Sequence, residues 1–438
     1  MEWKRQTVHM LAGFLIVLLR FLPYWAILCV SLFGILFNLF FLPRMIPSIM
    51  RNITGDRRGV VFYPVAVASL VILFPNDLKI VAGAWAILSF GDGMATLIGR
   101  LGKPVPLRWN SRKTVQGAIS CFVFGALGAV GFMRLVDPSI SADWEKWAGA
   151  AVVAAAIAAW VESLPLPIND NLTVPAAAAL VLWLAQWVDI DLLNENIPGV
   201  WVLSSILVNG ILASILTTFR IVHGSATWAG LALGTLTMVC GGWRAYLLLI
   251  LFFVIGTWAT HHGYQLKQNR GVAQEDRGRR GARHVVANCA APAVFAILIS
   301  STPYSHWMMI ALVAGFATAL MDTVSSEIGQ VYGRYPVLPT TGETVPIGTE
   351  GAISMEGTLA GLLAAILMAV VAWVAQAIPP VAIPVVVVAA FAASGAESVC
   401  GAFLRFEFTW KNELLNFGNT VAGGLIALFI ACQTGITW

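Results

Sequence analysis

Apolar runs of membrane-spanning length, separated by short polar breaks, recur along the whole chain and predict a succession of transmembrane helices. Seven lie near 7–22, 24–42, 60–75, 79–99, 114–136, 147–163 and 173–188. Eight more lie near 199–219, 226–240, 245–262, 284–302, 306–328, 352–378, 380–404 and 415–436. Between the two sets, DIDLLNENIP at 189–198 interrupts the hydrophobicity with acids, asparagines and a proline. The expected fold is all-α, a polytopic membrane protein of about fifteen helices in two modules, 1–190 and 199–438.

A charged side chain at membrane depth is costly, so an acid inside an apolar run marks a candidate functional site. Asp92 lies in LSFGDGMATLIGR between Gly91 and Gly93, glycines that let backbone or ligand approach closely. Glu162 closes the sixth run, with Asp170 and Asn171 on the loop beyond it. Asp322 and Glu327 lie in ALMDTVSSEIG, and Glu397 lies in FAASGAESVCG ahead of Asn412, Glu413, Asn416 and Asn419. The two sets share a grammar: Asp-x-x-(Ala/Ser)-x-x-x-Gly at 92–99 and 322–329, then Glu-Ser at 162–163 and 397–398, then an Asn-containing polar loop. Such repetition predicts duplication of one module. Seven helices would invert the second copy, but the extra run at 199–219 restores parity and makes the modules parallel. That differs from the inverted-repeat transporter plan, which puts substrate at the bilayer midplane.

Composition agrees with lipid as the solvent: 58% of the 438 residues are hydrophobic and 11% are charged. The net charge of +4 includes no long basic tract for nucleic acid. Six scattered cysteines without CxxC spacing signal neither a disulfide framework nor zinc. With the N-terminus inside, only Arg20, Lys79, Arg134, Lys146 and Arg244 of the 26 basic residues fall on the outer side. The expected topology is therefore N-in and C-out, with both acid clusters at the cytoplasmic face of a prokaryotic plasma membrane.

Carboxylates beside a basic loop at a membrane surface suit a nucleoside triphosphate, the acids holding a divalent metal and the cations holding phosphate oxygens. The first module has such a loop, GRLGKPVPLRWNSRKTVQG, where Arg112 and Lys113 precede a helix entered through Thr114. Taken alone, Arg112 and Lys113 read equally well as membrane anchors; near Asp92 they read as a phosphate site. The second module offers a Gly- and Thr-rich loop with Thr341, Gly342, Gly348, Thr349 and Gly351, whose anion binding would lean on backbone amides. Arg279, Arg280 or Arg283 from its basic loop would assist. There is no Walker sequence and no kinase Gly-rich loop.

Residues 1–190 resemble the polytopic CTP-dependent lipid-alcohol kinases, the phytol kinase and dolichol kinase group, which is related to phosphatidate cytidylyltransferases. The carriers are RQTVH at 5–9, RGVVFYP at 58–64, FGDGMATLIGR at 90–100, NSRKTVQG at 110–117 and VESLPLPINDNLTVP at 161–175. Residues from about 200 onward resemble the membrane family that contains the plant phytyl-phosphate kinase and an uncharacterised animal transmembrane protein. Here the carriers are GGWR at 241–244, RRGARHVVAN at 279–288, DTVSSEIG at 322–329, TTGETVPIGTEGAISMEGT at 340–358 and ELLNFGNTVAG at 413–423. Val324 stands where an aromatic residue is more usual, and Glu397 where an Asp is frequent.

The pairing implies a fused enzyme of isoprenoid salvage that phosphorylates a prenol, such as phytol or geranylgeraniol, to the monophosphate and then the diphosphate. Such products are tocopherol or quinone precursors. CTP or another nucleoside triphosphate would be the donor and Mg2+ the cofactor, with membrane lipid, prenol and prenyl phosphate as partners. Asp92, Glu162 and Asp170 would hold the metal in the first module, with Arg112, Lys113, Thr114, Gly91 and Gly93 on the nucleotide and Asn171 near the reacting hydroxyl. In the second, Asp322, Glu327 and Glu397 would act as catalytic acids, the first two on metal, with the loop at 340–351 and Asn416 on phosphate. A lipid cytidylyltransferase and a lipid-phosphate transporter or flippase are the alternatives.

Overall fold

Every apolar run becomes helix in the computed structural model, which describes residues 2–45, 59–166, 168–219, 221–274, 276–403 and 410–436. Arg51, Arg57, Arg58, Arg220 and Arg405, all placed on the inner side above, lie outside the described residues. The chain divides into two compact units, Met1–Trp187 and Val188–Trp438.

In the first unit α1 (Glu2–Gly13) continues as a 3-10 segment, Phe14–Arg20, and α2 (Tyr24–Leu36) continues through a π turn. Then come α3 (Gly59–Leu73) and α4 (Leu78–Ala86), which passes through a π-helical turn, Ile87–Asp92, into α5 (Gly93–Ile98). A small antiparallel hairpin, β1 (Pro106–Leu107) and β2 (Asn110–Thr114), precedes α6 (Val115–Val136), α7 (Trp144–Ser163) and α8 (Asp170–Ala185). The second unit holds α9 (Ile190–Asn196), α10 (Gly199–Thr218), α11 (Gly224–His261), α12 (Tyr264–Asn269), α13 (Ala282–Ser301), α14 (Ser305–Tyr332), α15 (Met355–Val374), α16 (Ala382–Phe403) and α17 (Lys411–Thr434).

Among the described residues, ten helices are long and apolar enough to cross a membrane. This is an all-α polytopic membrane protein. The difference from fifteen has local causes. Gln6–Arg20 and Val60–Leu73 are apolar but short. Helix α7 carries Glu145, Lys146 and Glu162. The runs at 226–240 and 245–262 merge in α11, which is broken at Gly242 (φ 74°). Thr227 and Thr260 line one cleft, whereas a straight helix of that length would hold them roughly 50 Å apart. The chain therefore turns back at Gly242, in a backbone region that glycine enters readily.

In each unit the helix bearing the first aspartate sits at the centre. Leu78–Ile98 and Ser305–Tyr332 are the most buried spans, at 72% and 78%. Helix α4 with its π turn packs against α3, α6, α7 and α8; α14 packs against α11, α13, α15, α16 and α17. Alanines such as Ala126, Ala129, Ala151, Ala155, Ala158 and Ala178 line the first core, letting helix backbones approach closely.

One joint recurs. The Thr114 side chain caps α6 by accepting from the Gly117 amide at 3.2 Å, and Ser354 caps α15 by accepting from the Gly357 amide at 3.2 Å. Gly99 and Gly329, seven residues after Asp92 and Asp322, each lie against the corresponding cap hydroxyl. Each central helix is thereby tied to the start of the helix that follows it.

Candidate functional site

In the first unit, four separate elements bring charged groups together. The π turn after α4 ends on Asp92; such turns re-aim a side chain within a helix. The last turn of α7 supplies Glu162, which is buried. Asp170 opens α8, where a helix N-terminus favours negative charge, and the Asn169 side chain caps that helix by accepting from the Asn171 amide at 3.1 Å. The hairpin is fastened to the end of α7: Trp109 Nε1 donates to Ser163 Oγ at 3.2 Å, and Asn110 Nδ2 donates to the Ser163 carbonyl at 3.0 Å. Lys113 is thus held over the acids.

One oxygen from each of Asp92, Glu162 and Asp170 lies within 4.8 Å of the others, and among the described residues this is the one group of three such ligands close enough to hold a metal ion. Lys113 Nζ donates to Glu162 and, at 2.7 Å, to Asp170. Burial opposes the ammonium, but Glu162, then Asp170 and Asp92, outweigh it and hold Lys113 well above its usual pKa. His9 Nε2 stands 3.8 Å from Asp92 and 3.1 Å from the Leu88 carbonyl oxygen.

The other predicted residues of this unit lie around this cluster or in the packing behind it. Strand alternation turns Arg112 away from Lys113, and it is exposed. Thr114 uses its hydroxyl as the cap and donates it to the Gly99 carbonyl at 3.0 Å. Gly91 and Gly93 are buried where a side chain would strike the Cys121 carbonyl of α6 and Met10 of α1, so their smallness admits neighbouring helices. Asn171 lies in the first turn of α8, next to Asp170.

In the second unit the acids divide into two groups. Asp322 and Glu397 lie together. Asn419 donates to Glu397, and the Asn416 amide, oriented to donate, reaches Glu397 Oε1 at 3.0 Å. Glu327 lies instead with two cations: Lys267 Nζ donates to it at 2.7 Å, and Arg280 Nη2 is 3.6 Å away. Lys267 is fully buried and also donates to the carbonyls of Ala259 (3.1 Å) and Thr260 (2.7 Å), which uses all three ammonium hydrogens. Arg280 donates to Thr260 Oγ1 at 3.0 Å and Thr323 Oγ1 at 3.4 Å.

The Gly- and Thr-rich loop uses several of its amides internally. Thr341 and Gly342 donate to the Leu338 carbonyl, and Thr349 donates to the Pro346 carbonyl. Gly348 has φ 88°. Gly351, at φ 73°, lies against the backbone of Ser398 and Ala402 in α16, where a side chain would not fit. Lys267 is not singled out by the sequence, because the periodicity of short α12, which buries it, is too brief to reveal the pairing with Glu327.

Residues 207–432, within the second unit, match the model of the family described as integral membrane protein DUF92, and the chain belongs to that family. The chain is 37% identical over 201 residues to an uncharacterised membrane protein of Synechocystis, covering 45% of this chain and 78% of that protein. It is 39% identical over 236 residues to the chloroplast protein VTE6 of Arabidopsis thaliana, covering 52% and 71%. It is also similar to chloroplast phytol kinase 1 of the same plant, 27% identical over 200 residues, covering 42% and 66%. No solved structure matches it.

Proposed function

We propose that this DUF92 family member is a two-site membrane kinase, a prenol kinase over about 1–190 fused to a prenyl-phosphate kinase over about 199–438. The convergence of Asp92, Glu162, Asp170 and Lys113 at the end of a central membrane helix carries the reading. Phytol kinases among the relatives supply the reaction class.

In the first step the prenol oxygen bonds to the γ-phosphorus of CTP, the bond from that phosphorus to the β,γ-bridging oxygen breaks, and CDP leaves. The hydroxyl proton passes to a carboxylate, for which Asp170 is the accessible member of the trio, its side chain 38% exposed. Lys113, raised and therefore charged, moves from the acids to the phosphate oxygens as these enter. Hard carboxylate oxygens this close together fit Mg2+. Held by Asp92 and Glu162, it would neutralise phosphate charge and leave Asp170 to take the proton. In the second step an ionised oxygen of the monophosphate bonds to the γ-phosphorus of a second CTP, the bond from that phosphorus to the β,γ-bridging oxygen breaks, CDP leaves and no base is needed; Arg280, beside Asp322 and Thr323, is positioned to hold the monophosphate. The acids of the second unit do not form a comparable three-ligand group, so no metal step is derived there.

The test supplies CTP labelled at the γ or the α phosphate, with Mg2+ and a panel of prenols and prenyl monophosphates, to the purified chain. Label reaching lipid from the γ position is the expected result. Transfer from the α position instead makes it a cytidylyltransferase, and no labelled lipid from either leaves transport as the surviving reading.

A further inference from the structure

A narrow cleft, open along one side, lies within the second unit between α10, the two arms of α11 and the start of α13. Its wall is almost wholly apolar, with Leu212, Leu216, Leu231 and Phe253 among the lining residues and Gly230 clearing a track. Arg280 is the one Lys, Arg, Asp or Glu among its lining residues. Arg280 Nε is buried without a hydrogen-bond partner, a donor that a native site ordinarily satisfies. The same guanidinium reaches Thr323, the neighbour of Asp322, so this end of the cleft adjoins the acid pair. Away from Arg280, the lining includes Asn209 and Tyr246, joined by a hydrogen bond from Tyr246 Oη to Asn209 Oδ1 at 3.1 Å. Asn209 to Leu216, both on α10, is about two turns of helix, or roughly 10 Å.

We infer that this cleft seats the isoprenoid chain of a prenyl monophosphate, with the phosphate on Arg280. An apolar trough of limited length with one cation complements a single-chain lipid bearing an anionic end. The inference rests on the kinase reading for its choice of lipid and gives it a structural content: the chain length that fits the cleft sets the substrate range. Gly230, with open space where a side chain would project, is the place to shorten the trough without disturbing its walls.

The experiment uses the full chain in phosphatidylcholine nanodiscs and a geranylgeranyl monophosphate analogue carrying a photoreactive diazirine on its last isoprene unit, with no nucleotide present. The expected labels map to the apolar lining of α10 and α11. Unlabelled geranylgeranyl monophosphate should compete and phosphatidic acid should not, while Gly230→Leu should cut labelling about tenfold by displacing two or so methylenes from apolar contact. Labels outside the cleft, equal competition by phosphatidic acid, or unchanged labelling of Gly230→Leu would each overturn the inference. Because no turnover is needed, labelling in the cleft by a protein that forms no diphosphate would refute the kinase reading and leave the cleft assignment standing.

Discussion

At the central helix of the first unit a lysine stands among three carboxylates; in the second, two carboxyls are met by asparagine amides, and the nearby arginine comes from a different loop. The shared joint sets the register for this comparison. With Thr114 matched to Ser354, the place of Lys113 falls on Ile353, so the second unit lacks that cation. It has gained Lys267 and Arg280 from the segment after α11 instead, and Lys267 is entirely occupied by Glu327 and two carbonyls. Under the two-site proposal, equivalent acids need not face equivalent substrates. A neutral alcohol calls for a base and a donor-phosphate cation, whereas a monophosphate brings its own nucleophilic oxygen and calls for a cation to receive it.

The largest effect is expected from breaking the fully buried Lys267–Glu327 pair of the second unit. Lys267→Met leaves Glu327 as a buried charge without its nearest partner and should cost about 3–5 kcal/mol. Thermal unfolding should show it, and Lys267→Met with Glu327→Gln should recover most of the loss. A metal role for Glu327 would instead predict that the double variant folds well yet loses the second step.

Next in size is Lys113→Met, which should slow the first step by about 10²–10³, the range for removing a positioned charge donor, and leave the second unchanged. The pH dependence follows the same residue. A raised lysine pKa means the ammonium is complete below its unfolded value and is lost only as pH climbs through the higher folded one. Lys113 therefore imposes no alkaline fall in first-step rate up to about pH 9. A fall in that range that disappears in Lys113→Arg would contradict this.

The smallest effects test the shared joint. Thr114→Ala and Ser354→Ala should each cost about 1 kcal/mol, the loss of one N-cap. Closely similar losses support a joint common to the two units; a loss in one alone sets their constructions apart.

Much of this was readable from the sequence because lipid is an intolerant solvent. Acids at 92, 162, 322 and 397 stand out against apolar runs, and the gap between the runs at 226–240 and 245–262 coincides with the turn at Gly242 inside α11. What stayed hidden depended on neighbours far along the chain. Nothing near Lys267 marks it as the partner of Glu327, sixty residues on. Gly91 and Gly93 looked suited to a ligand, but what approaches them is α6 and α1. The π turn that aims Asp92 has no sequence mark beyond the glycines beside it.

The most direct test of two sites for two steps is γ-labelled CTP supplied with either a prenol or its monophosphate to Asp92→Asn and Asp322→Asn proteins. Asp92→Asn should fail to make monophosphate yet still convert supplied monophosphate to diphosphate, and Asp322→Asn should do the reverse. Loss of the same step in both variants would contradict the account.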